Sequence, residues 1–230
     1  MVGGILFDKD GTLFHFRDTF SVFVQELLIE IACGDRARAV ALGRRIGFDL
    51  ETAGFGPQSV AVTGTPEQIA HALLPDVPDW DEPRLVARMN AAMHGLPLVP
   101  AAPLVPLVAG LIARGLRLGV VTNDALEAAE AHLTAVGIRG AFEFVAGYDS
   151  GHGAKPDPGM LHEFRRRTGL APERIAMVGD SRHDLAAGRA AGMRTVGVLT
   201  GMATTADLDD LADVILPDIG ALPGWIDALG

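Results

Sequence analysis

Cysteine is almost missing from this chain of 230 residues; Cys33 stands alone. One thiol excludes an intrachain disulfide and any cysteine-built metal cluster, and it fits a reducing, cytoplasmic setting. Cys33 is expected to pack in the core on a helix rather than act as a nucleophile. Basic charge is scarce too: lysine and arginine number 19 against 29 acidic residues, a net charge of −10. A protein that binds nucleic acid non-specifically needs the opposite balance to neutralise phosphates, so no nucleic-acid partner is expected. Only two of the basic residues are lysines, Lys9 and Lys155. The N-terminal MVGGILFDKDG has neither a basic segment nor a long apolar one, and is not expected to be a signal peptide. Leu96 to Ala113 is uncharged and about as long as a membrane span. It carries Pro97, Pro100, Pro103 and Pro106, however, and that spacing prevents a helix over its first half. An extended linker and a short helix after Pro106 are expected, with no membrane partner.

What is there is enough to fold. The chain is 49% hydrophobic and 21% charged, so apolar burial can offset chain entropy. Short apolar runs of strand length recur: Gly4–Phe7, Leu118–Val121, Phe144–Ala146, Ile175–Val178, Thr195–Leu199 and Val214–Leu216. Continuous apolar strands predict a parallel sheet buried on both faces. Helical stretches lie between most of them: Asp124 to Val136, with Asp124 and Glu127 in capping-box spacing, then Asp157-Pro158 to Gly169, then Asp184 to Ala191. The alternation predicts an α/β fold, a doubly wound parallel-sheet Rossmann-like core with right-handed crossovers.

Residues 15 to 95 break the rhythm. Phe16, Phe20, Phe23, Val24, Leu27, Leu28 and Ile31 share one helical face before Gly34, Thr65-Pro66-Glu67-Gln68 reads as a capped helix start, and a third helix is expected from Glu82 to His94. Eighty or so residues are too many for a simple crossover. The expected organisation is a core of residues 1–14 and 96–230 with an inserted α-helical cap domain at 15–95.

The first strand runs into Asp8-Lys9-Asp10-Gly11-Thr12. Four specified residues recur by chance at roughly one position in a hundred thousand, and these stand where an open α/β sheet has its ligand crevice. An EF-hand does not fit, because its glycine would fall on Leu13 and its glutamate on Thr19. Three further segments end on the same edge: Thr122-Asn123-Asp124, Gly153-Ala154-Lys155-Pro156, and Gly179-Asp180-Ser181-Arg182-His183-Asp184. Asp8, Asp10, Asp180 and Asp184 would share one cleft, where mutual repulsion raises carboxyl pKa values unless cations balance them. Lys155 supplies one positive charge, and a hard divalent ion such as Mg²⁺ suits the oxygen donors.

The set and its order resemble the four motifs of the haloacid dehalogenase superfamily, in particular its phosphoglycolate-phosphatase-like branch. The resemblance covers residues 3–14 and about 96–200; the cap matches in position and helical character. It implies a Mg²⁺-dependent phosphatase acting on a small phosphorylated metabolite, such as phosphoglycolate or a sugar phosphate, through an aspartyl-phosphate. Asp8 would be the nucleophile and Asp10 the general acid and base. Gly11, Thr122, Asn123 and Lys155 would hold the phosphoryl group. The metal would be held by Asp8, the Asp10 carbonyl and Asp180, with Asp184 on a metal-bound water or on Lys155. His15, Arg17 and His152 lie near the expected crevice, and a solvated surface role is the plainer reading of each. Where the branch continues with a short polar Asp-Ser stretch, this chain has Phe14-His15-Phe16-Arg17-Asp18, which leaves the leaving group open. Haloalkanoate dehalogenation is disfavoured by Asp10 and Asp180. A Schiff-base phosphonate hydrolase needs a cap lysine, and none stands between Lys9 and Lys155. Phosphoglucomutase-like phosphoryl transfer and a catalytically silent binding module are the alternatives on the same fold.

Overall fold

A computed structural model describes residues 1–56, 59–93 and 95–229. Eight strands are present among them: β1 (Gly4–Phe7), β2 (Phe48–Asp49), β3 (Gly54–Phe55), β4 (Arg117–Val121), β5 (Phe144–Ala146), β6 (Ile175–Gly179), β7 (Arg194–Val198) and β8 (Val214–Leu216). The chain divides into two compact units, Met1–Phe16 with Val99–Gly230, and Arg17–Leu98.

The first unit carries a six-stranded sheet of order β5-β4-β1-β6-β7-β8, every pair parallel. In chain order these strands give the 3-2-1-4-5-6 arrangement of a doubly wound sheet, whose crossovers diverge at β1 and β6. All six expected strands are present, displaced at their ends by at most one residue. β1 is central and its four residues are buried, as the apolar run Gly-Ile-Leu-Phe requires. Leu6, Val121, Phe144, Phe164, Ile175 and Met177 pack in one cluster. Full burial of such side chains contributes about 1.5–3 kcal/mol each.

Some helix ends follow local signals and others follow tertiary contacts. The helix Gly159–Thr168 stops at Gly169, whose φ of 67° places it in the left-handed region. The next, Arg182–Ala190, is opened by a Ser181–Asp184 capping box. The capping box expected at Asp124 does not form: that helix is Leu126–Ala135. Its Leu126 N–H is taken instead by Asp149 Oδ1, at 2.9 Å, because Asp124 turns inward to a buried ammonium. The proline-rich run yields the helix Leu104–Ala113, which starts ahead of Pro106. Pro106 is its third residue, where a missing N–H leaves no intrahelical bond unmade. Among the described residues no helix is long and apolar enough to cross a membrane.

The second unit is helical: Phe16–Ile31, Arg36–Arg45, Val60–Thr63, Pro66–Leu73 and Glu82–Met93, with β2 and β3 as an antiparallel pair. The first of these helices begins on Phe16, the last residue of the first unit. The Thr65 capping box forms, with Gln68 N–H on Thr65 Oγ1 at 3.4 Å and Thr65 N–H on Gln68 Oε1 at 2.9 Å. The expected third helix is described over Glu82–Met93; His94 lies outside the described residues. Cys33 corrects an expectation. It is exposed, lies beyond the helix end at Ile31 and has a φ of 55°. The chain closes the helix there with Gly34 N–H on Ile29 O, at 2.9 Å, and that reversal points residue 33 away from the core.

Candidate active site

The C-terminal ends of β1, β4 and β6 lie side by side, and each delivers a polar residue onto that edge. Asp8 follows β1, its N–H bonded to Val178 O at 2.8 Å, so the neighbouring strand fixes its backbone. Thr122 follows β4 and Asp180 follows β6. Asp8, Thr122, Asp180, Asp184 and Lys155 are all buried. Lys155 sits at the centre: its Nζ donates to Asp8 Oδ1 at 2.5 Å and to Val121 O at 2.9 Å, and pairs with Asp184 Oδ1 at 2.6 Å. Three acceptors match the three N–H bonds of an ammonium.

The loop that carries Lys155 is clamped by Asn123. The Asn123 side chain donates to Lys155 O at 2.9 Å and accepts from Lys155 N–H at 2.8 Å. Thr122 Oγ1 accepts from Asp124 N–H at 3.1 Å, which leaves the hydroxyl proton to donate. Gly11 has a φ of 92°. Its N–H is turned to Phe14 O at 2.8 Å and its carbonyl accepts from Thr200 Oγ1 at 2.6 Å. What Gly11 gives is room, since a Cβ there would lie 2.4 Å from Asp180 Oδ2. Gly201 does the same from the other side, where a Cβ would lie 1.7 Å from that oxygen. Asp180 is thus seated between two glycines.

Residues 2–192 match the family model of the haloacid dehalogenase-like hydrolases. The chain belongs to this family. It is therefore a hydrolase. It is 28% identical over 225 residues to the phosphoglycolate phosphatase of Escherichia coli K12, covering 95% of this chain and 88% of that protein. A solved structure from Bacteroides fragilis, assigned to the haloacid dehalogenase-like hydrolases, superposes with a TM-score of 0.73 at 20% identity, over 96% of this chain and all of that one. A family hydrolase from Deinococcus radiodurans, solved with bound phosphate and sodium, gives a TM-score of 0.67 at 23% identity, over 99% and 96% of the two chains.

In this haloacid dehalogenase-like hydrolase, Asp8, Asp180 and Asp184 each offer an oxygen within 4.8 Å of the others. Three buried carboxylates against one ammonium leave an excess of negative charge, which fits a hard divalent cation. The electrostatics agree. Burial first, then Asp184 and Asp10, raise the Asp8 carboxyl to about 7 against the pull of Lys155. Burial and then Asp8 and Asp184 raise Asp180 well above its ordinary value. Burial works against the Lys155 charge, but Asp184 and Asp8 outweigh it and hold the ammonium protonated. The Asp184 side chain has two tasks: Oδ1 meets Lys155, while Oδ2 accepts from Ser181 N–H at 3.0 Å as a helix cap.

Asp10 has a different partner. Its Oδ1 accepts from Lys9 Nζ at 2.6 Å, and Lys9 is wholly buried. The sequence puts Lys9 in the motif without a task, gives Asp124 only a helix cap and leaves His132 unmarked; both meet Lys9. His15 and His152 are half-buried and Arg17 is exposed. The His152 ring lies 6.5 Å from that of Phe144, a packing contact. Gly201 had no motif to mark it, because its pairing with Asp180 is made only by the fold.

Lys155→Arg is expected to lower kcat about 100-fold or more while leaving thermal stability within a few degrees. A planar guanidinium cannot put three donors on three converging acceptors as an ammonium does. Wild-type turnover in this variant and in Lys155→Ala would remove Lys155 from the site.

Proposed function

We propose that the protein is a Mg²⁺-dependent phosphatase that removes the phosphoryl group from a small phosphate monoester, of the phosphoglycolate or sugar-phosphate class. The observation that carries this reading is the Asp8 carboxylate, oriented by Lys155 on the crevice edge within a cluster of three buried carboxylates. One Asp8 oxygen attacks phosphorus, the ester P–O bond breaks, and Asp10 protonates the departing alkoxide. Water then attacks the aspartyl-phosphate, Asp10 takes its proton, and Asp8 is released with inorganic phosphate. Lys155 balances the charge on Asp8 and on the phosphoryl oxygens. The Thr122 hydroxyl donates to a phosphoryl oxygen, while Asn123 holds the Lys155 loop. Asp8, Asp180 and the Asp10 carbonyl, with Asp184 beside them, would hold Mg²⁺, which supplies positive charge for the transferring phosphoryl group. The inserted unit acts as the cap that selects the leaving group. A small cytoplasmic metabolite is the substrate class.

Phosphate release from a panel of small esters tests this. Activity is expected to disappear on exhaustive chelation and to return with Mg²⁺, and Asp180→Ala is expected to weaken both metal binding and turnover. Full activity after chelation would sink the metal requirement. An isomerised product without phosphate release would favour phosphoglucomutase-like transfer.

A further inference from the structure

A second ammonium lies behind the Asp10 carboxylate. Lys9 is 0% exposed and His132 2%. Lys9 Nζ is 2.6 Å from Asp10 Oδ1, 3.1 Å from Asp124 Oδ2 and 3.0 Å from His132 Nδ1. The three partners, two hydrogen-bonded and Asp124 as an ion pair, come from three places in the chain: the β1 end, the β4 end, and the helix Leu126–Ala135. A protonated Lys9 donates to the His132 nitrogen, so Nδ1 accepts and the ring proton sits on Nε2. Four polar groups are thereby locked together beneath a carboxylate whose side chain keeps 14% exposure.

Such a cluster is a poor choice for stability alone. Removing three charges from water is costly, and well-packed apolar side chains often serve as well. The Asp124 side chain has also given up a helix cap to join it. We propose that Lys9, braced by Asp124 and His132, is a positioning residue that fixes the Asp10 carboxylate for proton transfer. This rests on the phosphatase reading above, in which Asp10 is the acid and base. With Oδ1 accepting from Lys9, the proton is carried on Oδ2. In the first step the Oδ2–H bond breaks as the O–H bond of the leaving alcohol forms. In the second, Oδ2 recovers a proton from the attacking water. A carboxylate free to rotate would present either oxygen, and neither consistently, which forfeits the orientation that makes general acid catalysis effective.

The test compares wild type, Lys9→Met and Lys9→Met/Asp124→Asn on an alkyl phosphate and an activated aryl phosphate, with KM and melting temperature measured beside kcat. The double variant removes the unpaired buried carboxylate should the single variant fold poorly. Loss is expected in kcat on the alkyl ester, about 100-fold, with phosphoryl transfer from the aryl ester changed by only a few fold and KM nearly constant. His132→Asn, whose side-chain oxygen can occupy the place of Nδ1, is expected to stay near wild type, whereas His132→Leu moves toward the Lys9→Met pattern. Equal losses in the first, phosphoryl-transfer step on both esters, tracking melting temperature, would assign the cluster to fold stability and overturn the proposal. Wild-type kinetics in well-folded Lys9→Met would overturn it as well. If the wild-type enzyme itself transfers no phosphoryl group to Asp8, the phosphatase reading fails first and this proposal falls with it.

Discussion

Asp8→Asn is expected to reduce turnover to background on every ester, on the order of 10⁶-fold, as loss of a covalent nucleophile does in other hydrolases. The change is nearly isosteric, and the melting curve separates a loss of chemistry from a loss of fold. An amide cannot carry the phosphoryl group, and alkyl and aryl esters are expected to lose equally. Stability should move the other way. Burial and then Asp184 and Asp10 raise the Asp8 pKa from 3.8 to about 7. Across that window the folded state holds a proton that the unfolded state has released, so metal-free stability falls as pH rises through it. Asparagine has no such proton to lose. The metal-free variant is therefore expected to melt no lower than wild type at pH 7–8, with the difference shrinking toward pH 4. Steady-state assays on both ester classes and melting curves without metal check the two halves; a melt far below wild type would show that the Lys155–Asp8 pair is needed for folding.

Asp10→Asn is expected to divide the two chemical steps. Losing the proton donor matters most for alkyl esters, whose leaving groups are poor, so their first step slows about 100-fold or more. An activated aryl ester needs little protonation, and its first step is largely spared. The second step still needs a base for water, and an amide is none. Phosphorylated enzyme then accumulates, seen in rapid mixing as a burst of aryl alcohol near one equivalent followed by a slow steady state. Equal loss on both esters without a burst would leave Asp10 as a shaping residue only. Lys9→Met should reproduce a weaker form of this pattern if the cluster beneath Asp10 acts as proposed.

The strands were legible because each is a continuous apolar run closed by a polar signal, and the central position of β1 and β6 follows from doubly wound topology. The Thr65 and Ser181 capping boxes were legible for the same local reason: their partners lie three residues away. Asp124 misled because its spacing to Glu127 is equally local, while the ammonium that captures it is 115 positions earlier in the chain. Cys33 misled because Ala32 and Cys33 read as a continuation of the helix, although the backbone already turns left-handed at Cys33. The pair β2–β3 has two residues in each strand, too few to show alternation. Asp8, Asp180, Asp184 and Lys155 were found by motif, and the fold brings them together. Gly201 and the Lys9–His132 contact could not be, since neither residue type nor spacing announces a contact made by tertiary packing alone.

Mapping the trapped intermediate tests the central claim most directly. Asp10→Asn is mixed with an activated aryl phosphate, quenched in acid during the burst, digested and analysed by mass spectrometry. One phosphoryl group on Asp8 is the expected result, absent from the Asp8→Asn/Asp10→Asn double variant. A phosphoryl group on any other residue, or a full burst with no adduct on the enzyme, would contradict it.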